Sequence, residues 1–318
     1  MSFEIPTLED IYTTHKRINP LINKTPVLTS SSINKILGTS ISFKCENFQK
    51  VGAFKFRGAT NACLLLEKEN IKNGVTTHSS GNHAAALSLA AKQLNTPAYI
   101  VMPENAPLIK KKAVAGYGAQ ITYCKATLKD RETTLKQIQK KTNATFIHPY
   151  DNFDIISGQA TCVKELLKEN PDLDTIIVPI GGGGLMSGTA LYCKLTNPKL
   201  KIFGAEPLMA NDAYKSYKKG KLILADSPKT IADGLLTSLS PLTFEIIKNN
   251  VDDIFTVSEQ SIIEAMRMVW ERMKIIIEPS SAVPLAAIIE NKTIFRNQKV
   301  GIIISGGNID LENLPFKP

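Results

Sequence analysis

Residues 175–195, TIIVPIGGGGLMSGTALYCKL, join an apolar run, four glycines and a helix-like segment. Ile176-Ile177-Val178-Pro179-Ile180 has the near-continuous apolar character of a strand buried on both faces. Gly181, Gly182, Gly183 and Gly184 follow at once, and Leu185 to Lys194 read as a helix. Strand, glycines and helix in that order form a phosphate cradle. Backbone N–H groups unshielded by Cβ converge on the anion, and the helix N-terminus adds about half a positive charge. The run is not a P-loop, because no Gly-Lys-Ser/Thr follows. Its third glycine is also out of register for the dinucleotide fingerprint. A nucleotide-hydrolysing or nicotinamide-dependent reading therefore loses its main support. A plain flexible loop is the alternative, although each glycine in an ordered element costs roughly 1 kcal/mol against alanine.

The same alternation runs through the chain. Strands are predicted at 41–45, 75–77, 98–101, 120–123, 146–147, 175–180, 201–205 and 299–305. Helices are predicted at 58–67, 82–93, 107–115, 129–141, 157–168, 186–195 and 258–272. Short apolar strands between helices imply an α/β fold with two doubly wound parallel sheets, each covered on both faces. Residues 75–147 hold four strands, enough for a small mobile domain. Residues 1–70 with 150–318 would build the large one. Ligands of such folds sit in the cleft at the carboxyl ends of the strands.

Composition narrows the classes. The 318 residues are 43% hydrophobic and 21% charged, a globular balance and not a collagenous or disordered one. No run of about 18 apolar residues occurs. The acidic start MSFEIPTLED lacks a signal-peptide pattern, so a soluble protein of the cytoplasm is expected. Cys45, Cys63, Cys124, Cys162 and Cys193 are widely spaced without a CxxC pair and read as small apolar fillers. The net charge of +9 admits an anionic small molecule or nucleic acid. The runs Lys110-Lys111-Lys112 and Lys140-Lys141 lack interleaved aromatics. They read as a solvated surface, and neither a nucleic-acid nor a membrane partner is expected.

Lys55 stands between Phe54 and Phe56. An amine held in apolar surroundings has a depressed pKa, and the neutral form can attack a carbonyl to give a Schiff base. Most such lysines reach water instead. A phosphate cradle elsewhere in the chain changes the weighing, because pyridoxal phosphate would use both features. His78-Ser79-Ser80-Gly81-Asn82-His83 follows a predicted strand and opens a helix, and it offers hydroxyls, an amide and an imidazole to an amino-acid carboxylate. An ordinary helix cap is the alternative there. Ser305-Gly306-Gly307-Asn308 ends the last predicted strand, where a hydroxyl could meet the pyridine nitrogen or simply form a turn.

The segments FKFRGA, SSGNHA, GGGG and SGGN, in that order and spacing, resemble the fold type II pyridoxal-phosphate enzymes, with a tryptophan synthase β-like architecture. The resemblance covers nearly the whole chain. It is strongest to serine racemases, with the serine/threonine dehydratases and threo-3-hydroxyaspartate ammonia-lyases beside them. It implies that Lys55 is the Schiff-base lysine, that Phe54 packs beside the pyridine ring and that Asn82 meets its phenolic oxygen. Gly181, Gly182, Gly183, Gly184 and Leu185 would hold the phosphate, and Ser305 the ring nitrogen. Ser79, Ser80, His83 and Arg131 would meet the substrate carboxylate.

Ser80 occupies a position where ordinary threonine dehydratases usually carry alanine. A hydroxyl facing Lys55 across the cofactor would supply a second acid/base and permit racemisation; a serine that only binds carboxylate is the alternative. Glu206, Ala210 and Asp212 match the spacing of the family's divalent-cation site, with hard oxygen donors suited to Mg²⁺, Mn²⁺ or Ca²⁺. Ile231-Ala232-Asp233-Gly234, Trp270 to Lys274 and Glu278-Pro279 resemble the same branch. Val51 and Tyr150 depart from the animal pattern near its nucleotide site, which puts activation by ATP in doubt. Pro318 ends the chain close to the catalytic core, so no isoleucine-sensing regulatory domain is expected, and a homodimer is implied. A non-catalytic binding paralogue is the alternative of a different class. The intact Lys55 argues against it.

Overall fold

The computed structural model describes residues 3–316. Among them ten strands occur: β1 Val27–Leu28, β2 Ser40–Cys45, β3 Val75–His78, β4 Ala98–Pro103, β5 Gln120–Cys124, β6 Thr145–Phe146, β7 Thr175–Pro179, β8 Lys201–Pro207, β9 Asp253–Val257 and β10 Lys299–Ile304. They form a six-stranded sheet in the order β1-β2-β10-β7-β8-β9 and a four-stranded sheet in the order β5-β4-β3-β6. Every pairing is parallel except that of β1 with β2, which is antiparallel. The expectation of purely parallel sheets is corrected at that edge. β1 is short enough to turn back on β2 without a helical crossover.

Helices cover both faces of each sheet, and the strand side chains show why. Along β10, Val300, Ile302 and Ile304 belong to one apolar cluster and Ile303 to another. Along β7, Ile177 joins the first cluster, while Ile176 and Val178 join the second. The period of two sends alternate residues into opposite helix layers. In the smaller sheet, Ile100 and Met102 pack with the helix Asn82–Gln93, and Val101 packs with Leu135 of the helix Leu128–Thr142.

Topology places the site. The C-terminal strand β10 lies between β2 and β7, with Ile304 opposite Cys45 and Ile302 opposite Ile177. Ser305, which follows β10, and Gly181, which lies just beyond β7, therefore leave the same end of one sheet. The chain after β2 returns to that end. Ala53 bridges Gly306, and Phe54 N–H donates to the Ser305 carbonyl at 3.0 Å. Lys55 then opens the helix Lys55–Leu64, which crosses the helix Phe153–Glu169 where Gly58 meets Gly158. A Cβ on Gly158 would lie 2.4 Å from Gly58 Cα, so only glycine permits this approach. No helix of the described residues is long and apolar enough to cross a membrane.

Candidate active site

A cavity of about 810 Å³ lies between the two sheets. The larger sheet contributes Phe54, Lys55, Gly181 to Gly184 and Ser305 to its walls. The smaller contributes Ser79, Ser80, Asn82, His83, Lys110 and Arg131. Residues spread over the whole chain thus share one chamber, as the strand ends dictate.

The four glycines are buried, and the helix Gly184–Thr196 starts within them with no side-chain cap. Its first N–H groups have no intrahelical carbonyl to bond. Gly183 has φ of 88°, a left-handed conformation that glycine adopts without strain. Close packing is a second reason for glycine here, and the sequence did not show it. A Cβ on Gly182 would lie 2.2 Å from the Tyr150 ring, and one on Gly181 2.9 Å from the Gly234 carbonyl oxygen. Thr243 Oγ1 donates to the Gly182 carbonyl at 3.0 Å, which fixes the loop from below.

Lys55 is half-buried on the chamber wall, and its Nζ donates to the Pro149 carbonyl at 2.8 Å. Burial alone lowers its pKa to about 8 from the ordinary lysine value. Among the described residues no carboxylate pairs with it, so the neutral amine is accessible near physiological pH. Phe54 lies beside it, with Nζ 5.1 Å from the ring centroid. Phe56 points instead into the apolar cluster around Ile18 and Ile155. Of the two flanking phenylalanines, only Phe54 belongs to the site.

Ser79 N–H donates to the Val101 carbonyl, which holds the Ser79-Ser80-Gly81 loop at the end of β4. Gly81 stands at the N-cap of the helix Asn82–Gln93 and no side chain caps it, so the ordinary-cap reading of this motif fails. Asn82 Nδ2 donates to Glu278 Oε1 at 2.8 Å, and Asn82 Oδ1 accepts from Asn308 Nδ2 at 3.0 Å. His83 bonds the Ile147 carbonyl through Nε2, and its Nδ1 is buried without a partner. Burial first, and the nearby Lys55 charge second, hold His83 well below the usual imidazole range. His148 accepts N–H bonds from Tyr150 and Asp151 at Nδ1, and burial lowers its pKa to about 4. Both imidazoles are thus disposed against protonation. Arg131 is half-buried on the helix Leu128–Thr142, with Nε donating to the Thr127 carbonyl at 3.4 Å.

The lysine run at 110–112 needs correction. Lys110 is buried and makes an ion pair with Asp233 across the chamber, while Lys112 is exposed as expected. The partner lies 123 residues away, so no local pattern announced it. Glu278 has no role that its sequence context announces. It is fully buried on the chamber wall; burial pushes it up to about 7 although the Lys110 charge pulls the other way.

The chamber fits a phosphorylated aldehyde cofactor. It offers an amine whose pKa burial has lowered, a glycine turn at a helix start, and a buried hydroxyl at Ser305. Two buried polar atoms on its wall, His83 Nδ1 and Glu278 Oε2, still lack partners.

None of Glu206, Ala210 and Asp212 lines the chamber, and Glu206 lies close enough to Asp212 to feel its charge. Glu206 lies in β8, next to its final residue Pro207, and accepts N–H bonds from Ala213 at 3.2 Å and Tyr214 at 2.7 Å. Asp212 opens the helix Asp212–Lys219, and its Oδ2 is buried without a partner. Burial raises both carboxyls, Asp212 to about 6 and Glu206 well above its usual range, where the Asp212 charge adds to the effect. The pair is thus not a solvated loop. Among the described residues no cluster of three or more His, Cys, Asp or Glu side chains is arranged for a metal, so a cation here would need the main chain and water.

The sequence is similar to the serine racemase of Dictyostelium discoideum, 52% identical over 97% of this chain and 96% of that protein. It is also similar to a beta-hydroxyaspartate dehydratase of Paracoccus denitrificans, 47% identical over 98% of this chain and 99% of that one. Among solved structures, maize serine racemase matches with a TM-score of 0.95 at 46% identity, over 97% of this chain and 95% of that one. Residues 18–306 match the family of pyridoxal-phosphate dependent enzymes, and the chain belongs to that family.

Proposed function

We propose that this pyridoxal-phosphate enzyme racemises serine or a related β-hydroxy amino acid, eliminates its β-hydroxyl, or does both. One observation carries the reading. The Lys55 amine, its pKa lowered by burial, and the hydroxyl of Ser80 line one chamber, together with the glycine turn. Lys55 would hold the cofactor aldehyde, Gly181 to Gly184 with Leu185 its phosphate, and Ser305 its ring nitrogen, with Phe54 and Asn82 beside the ring. When bound, the cofactor supplies a conjugated electron sink for the charge left at the substrate Cα. The Lys55 amine removes the Cα proton from one face. Ser80 returns a proton from the other, which inverts the centre. Where the β-hydroxyl departs first, the products are a keto acid and ammonia. The loop and helix start around Ser79, Ser80 and His83 bind the substrate carboxylate. Arg131 reaches it as the small domain, residues 75–147, closes and excludes water.

Chiral product analysis on both enantiomers of serine and threonine, and on both threo-3-hydroxyaspartates, tests this reading. Turnover of none of them refutes it. Ser80→Ala is expected to lower racemisation by about 10²-fold or more, the scale of a lost proton-transfer group. Elimination from the enantiomer served by Lys55 should stay within a few-fold. Equal loss of both activities would contradict a face-specific acid.

The carboxylates of Glu206 and Asp212, with the Ala210 carbonyl, are proposed to take Mg²⁺, Mn²⁺ or Ca²⁺. The support is the unpartnered Asp212 Oδ2 beside a second buried carboxyl. Magnesium at 100 times its Kd should stabilise the fold by about 2.7 kcal/mol. A chelator should reverse the gain, and Glu206→Gln should abolish it. No change in unfolding midpoint with metal would exclude the site.

A further inference from the structure

Asn308 ends the turn Ser305-Gly306-Gly307-Asn308 that follows β10, and it lines a second cavity of about 520 Å³ with Val51 and Gly52. Asn82 borders both that cavity and the chamber, and Glu278 borders the chamber. The bonds among these residues fix which way each amide faces. The Val51 carbonyl can only accept, so the Asn308 atom 2.7 Å from it is Nδ2. The same nitrogen lies 3.0 Å from a side-chain atom of Asn82. An amide nitrogen has no lone pair to offer, so that atom is Asn82 Oδ1. Asn82 Nδ2 is then the end that meets the Glu278 carboxyl, donating to Oε1 at 2.8 Å. Asn308 Oδ1 packs against Gly52, where a Cβ would come within 2.8 Å of it, so glycine leaves room for this orientation. Both Asn308 amide protons are used. Among the described residues Asn82 Nδ2 has one acceptor, so one of its two N–H bonds remains free.

We propose that Asn308 is a positioning residue that holds the Asn82 amide with its nitrogen toward the chamber, so that Asn82 presents an N–H to the phenolic oxygen of the cofactor. The inference rests on the placement of Asn82 at that oxygen, which the family resemblance implies. A donor favours the ionised phenol over the un-ionised one. A turned-over Asn82 would bring its own oxygen there and favour the un-ionised form. Glu278 alone does not set the direction. Burial pushes it up to about 7, so near neutral pH it exists with and without its proton, and the protonated carboxyl can donate to a turned-over amide. The Val51 carbonyl has no proton to give, so the order of donors and acceptors is anchored there and passed on by Asn308.

The test is the absorption spectrum of the cofactor-loaded enzyme at neutral pH, read beside a denaturant unfolding curve. The ionised phenol gives a yellow band and the un-ionised one a near-ultraviolet band. Wild type should be mainly yellow. Asn308→Asp keeps the shape and exchanges the donor for an acceptor. It should lower the ratio of yellow to near-ultraviolet absorbance about tenfold, the scale of one hydrogen bond to a charged group. Asn308→Ala removes the donor without adding an acceptor and should lower the ratio less. A bond that only tethers the turn would lower the unfolding midpoint and leave the ratio alone, and that result overturns the proposal. Should Asn308→Asp fail to fold or load, an unchanged ratio in Asn308→Ala overturns it equally. Asn82→Ala separates the two levels. If it leaves the wild-type spectrum unchanged, Asn82 does not meet the phenolic oxygen and the underlying placement fails. If it lowers the ratio while neither Asn308 variant does, the placement stands and the role of Asn308 is lost.

Discussion

Lys55→Ala is expected to abolish racemisation and elimination together, by at least the 10²–10⁴-fold attributed to a positioned proton-transfer group. The loss of the covalent attachment point for the cofactor comes on top of that. The variant should still fold. The Lys55 side chain makes one hydrogen bond, to the Pro149 carbonyl, and the helix it opens is held by backbone bonds at Ala53 and Phe54. Steady-state assays with serine and threo-3-hydroxyaspartate, beside a thermal unfolding curve, check both halves. A folded variant that keeps turnover would remove Lys55 from the chemistry.

Two residues further on, Arg57→Met is expected to lower stability by about 3–5 kcal/mol, the cost of breaking a buried ion pair by deleting one partner. Arg57 is fully buried. Its Nε and Nη2 reach both oxygens of Glu46 at 2.7 and 2.8 Å. Its Nη1 and Nη2 reach both oxygens of Glu165 at 2.7 and 2.8 Å. Lys44 adds a bond to Glu165 at 2.7 Å and one to the Thr25 carbonyl at 2.7 Å. Two cations and two carboxylates therefore balance inside the core. Without Arg57, Lys44 is left to neutralise both acids.

The pH dependence follows from Glu165. Burial works against its charge, but the hydrogen bonds and charge of Arg57, with Lys44, prevail and hold it below the usual carboxylate range. A lowered folded-state pKa lends stability that is present at neutral pH and lost on acidification through that pKa. Arg57→Met should therefore unfold at lower denaturant than wild type at neutral pH, and the difference should shrink as the pH falls through the folded-state pKa of Glu165. Denaturant curves at several pH values read both. An unchanged midpoint would mean that the network contributes nothing.

The alternation of strand and helix was legible because short parallel strands buried on both faces are apolar throughout. The helix Asn82–Gln93 was read with its true bounds, since alanines dominate it and Gly81 precedes it. The helix Leu8–Ile18 was not read, although a signal existed: Thr7 and Asp10 form a capping box, and Ile11, Thr14 and Ile18 make the inner stripe. The helix Pro279–Glu290 offered no such signal. It is buried on nearly every side and contains Pro284, so it has neither a polar face nor a clean helical pattern. The edge strand β9 was missed because only Ile254 and Val257 of its five residues are buried.

In the site, local motifs were readable and long-range partners were not. Lys55, the glycine turn and Ser305 each sit in a short segment whose residue types state a chemistry. Lys110 reads as one of three surface lysines until the fold brings Asp233 to it. Tyr150 was noted only as a departure from a pattern. In the structure its ring lies where a Cβ on Gly182 would project, so the glycine turn is shaped by an aromatic residue 32 positions earlier. Arg57 stands inside the quoted FKFRGA segment, yet its carboxylate partners are 11 and 108 residues away.

Borohydride reduction of the cofactor-loaded enzyme, followed by peptide mass mapping, asks which nitrogen holds the aldehyde. The account predicts a phosphopyridoxyl group on the peptide containing Lys55, and none on any peptide of Lys55→Ala treated in the same way. A label on Lys110, the other lysine lining the chamber, or no label on any lysine, would contradict it.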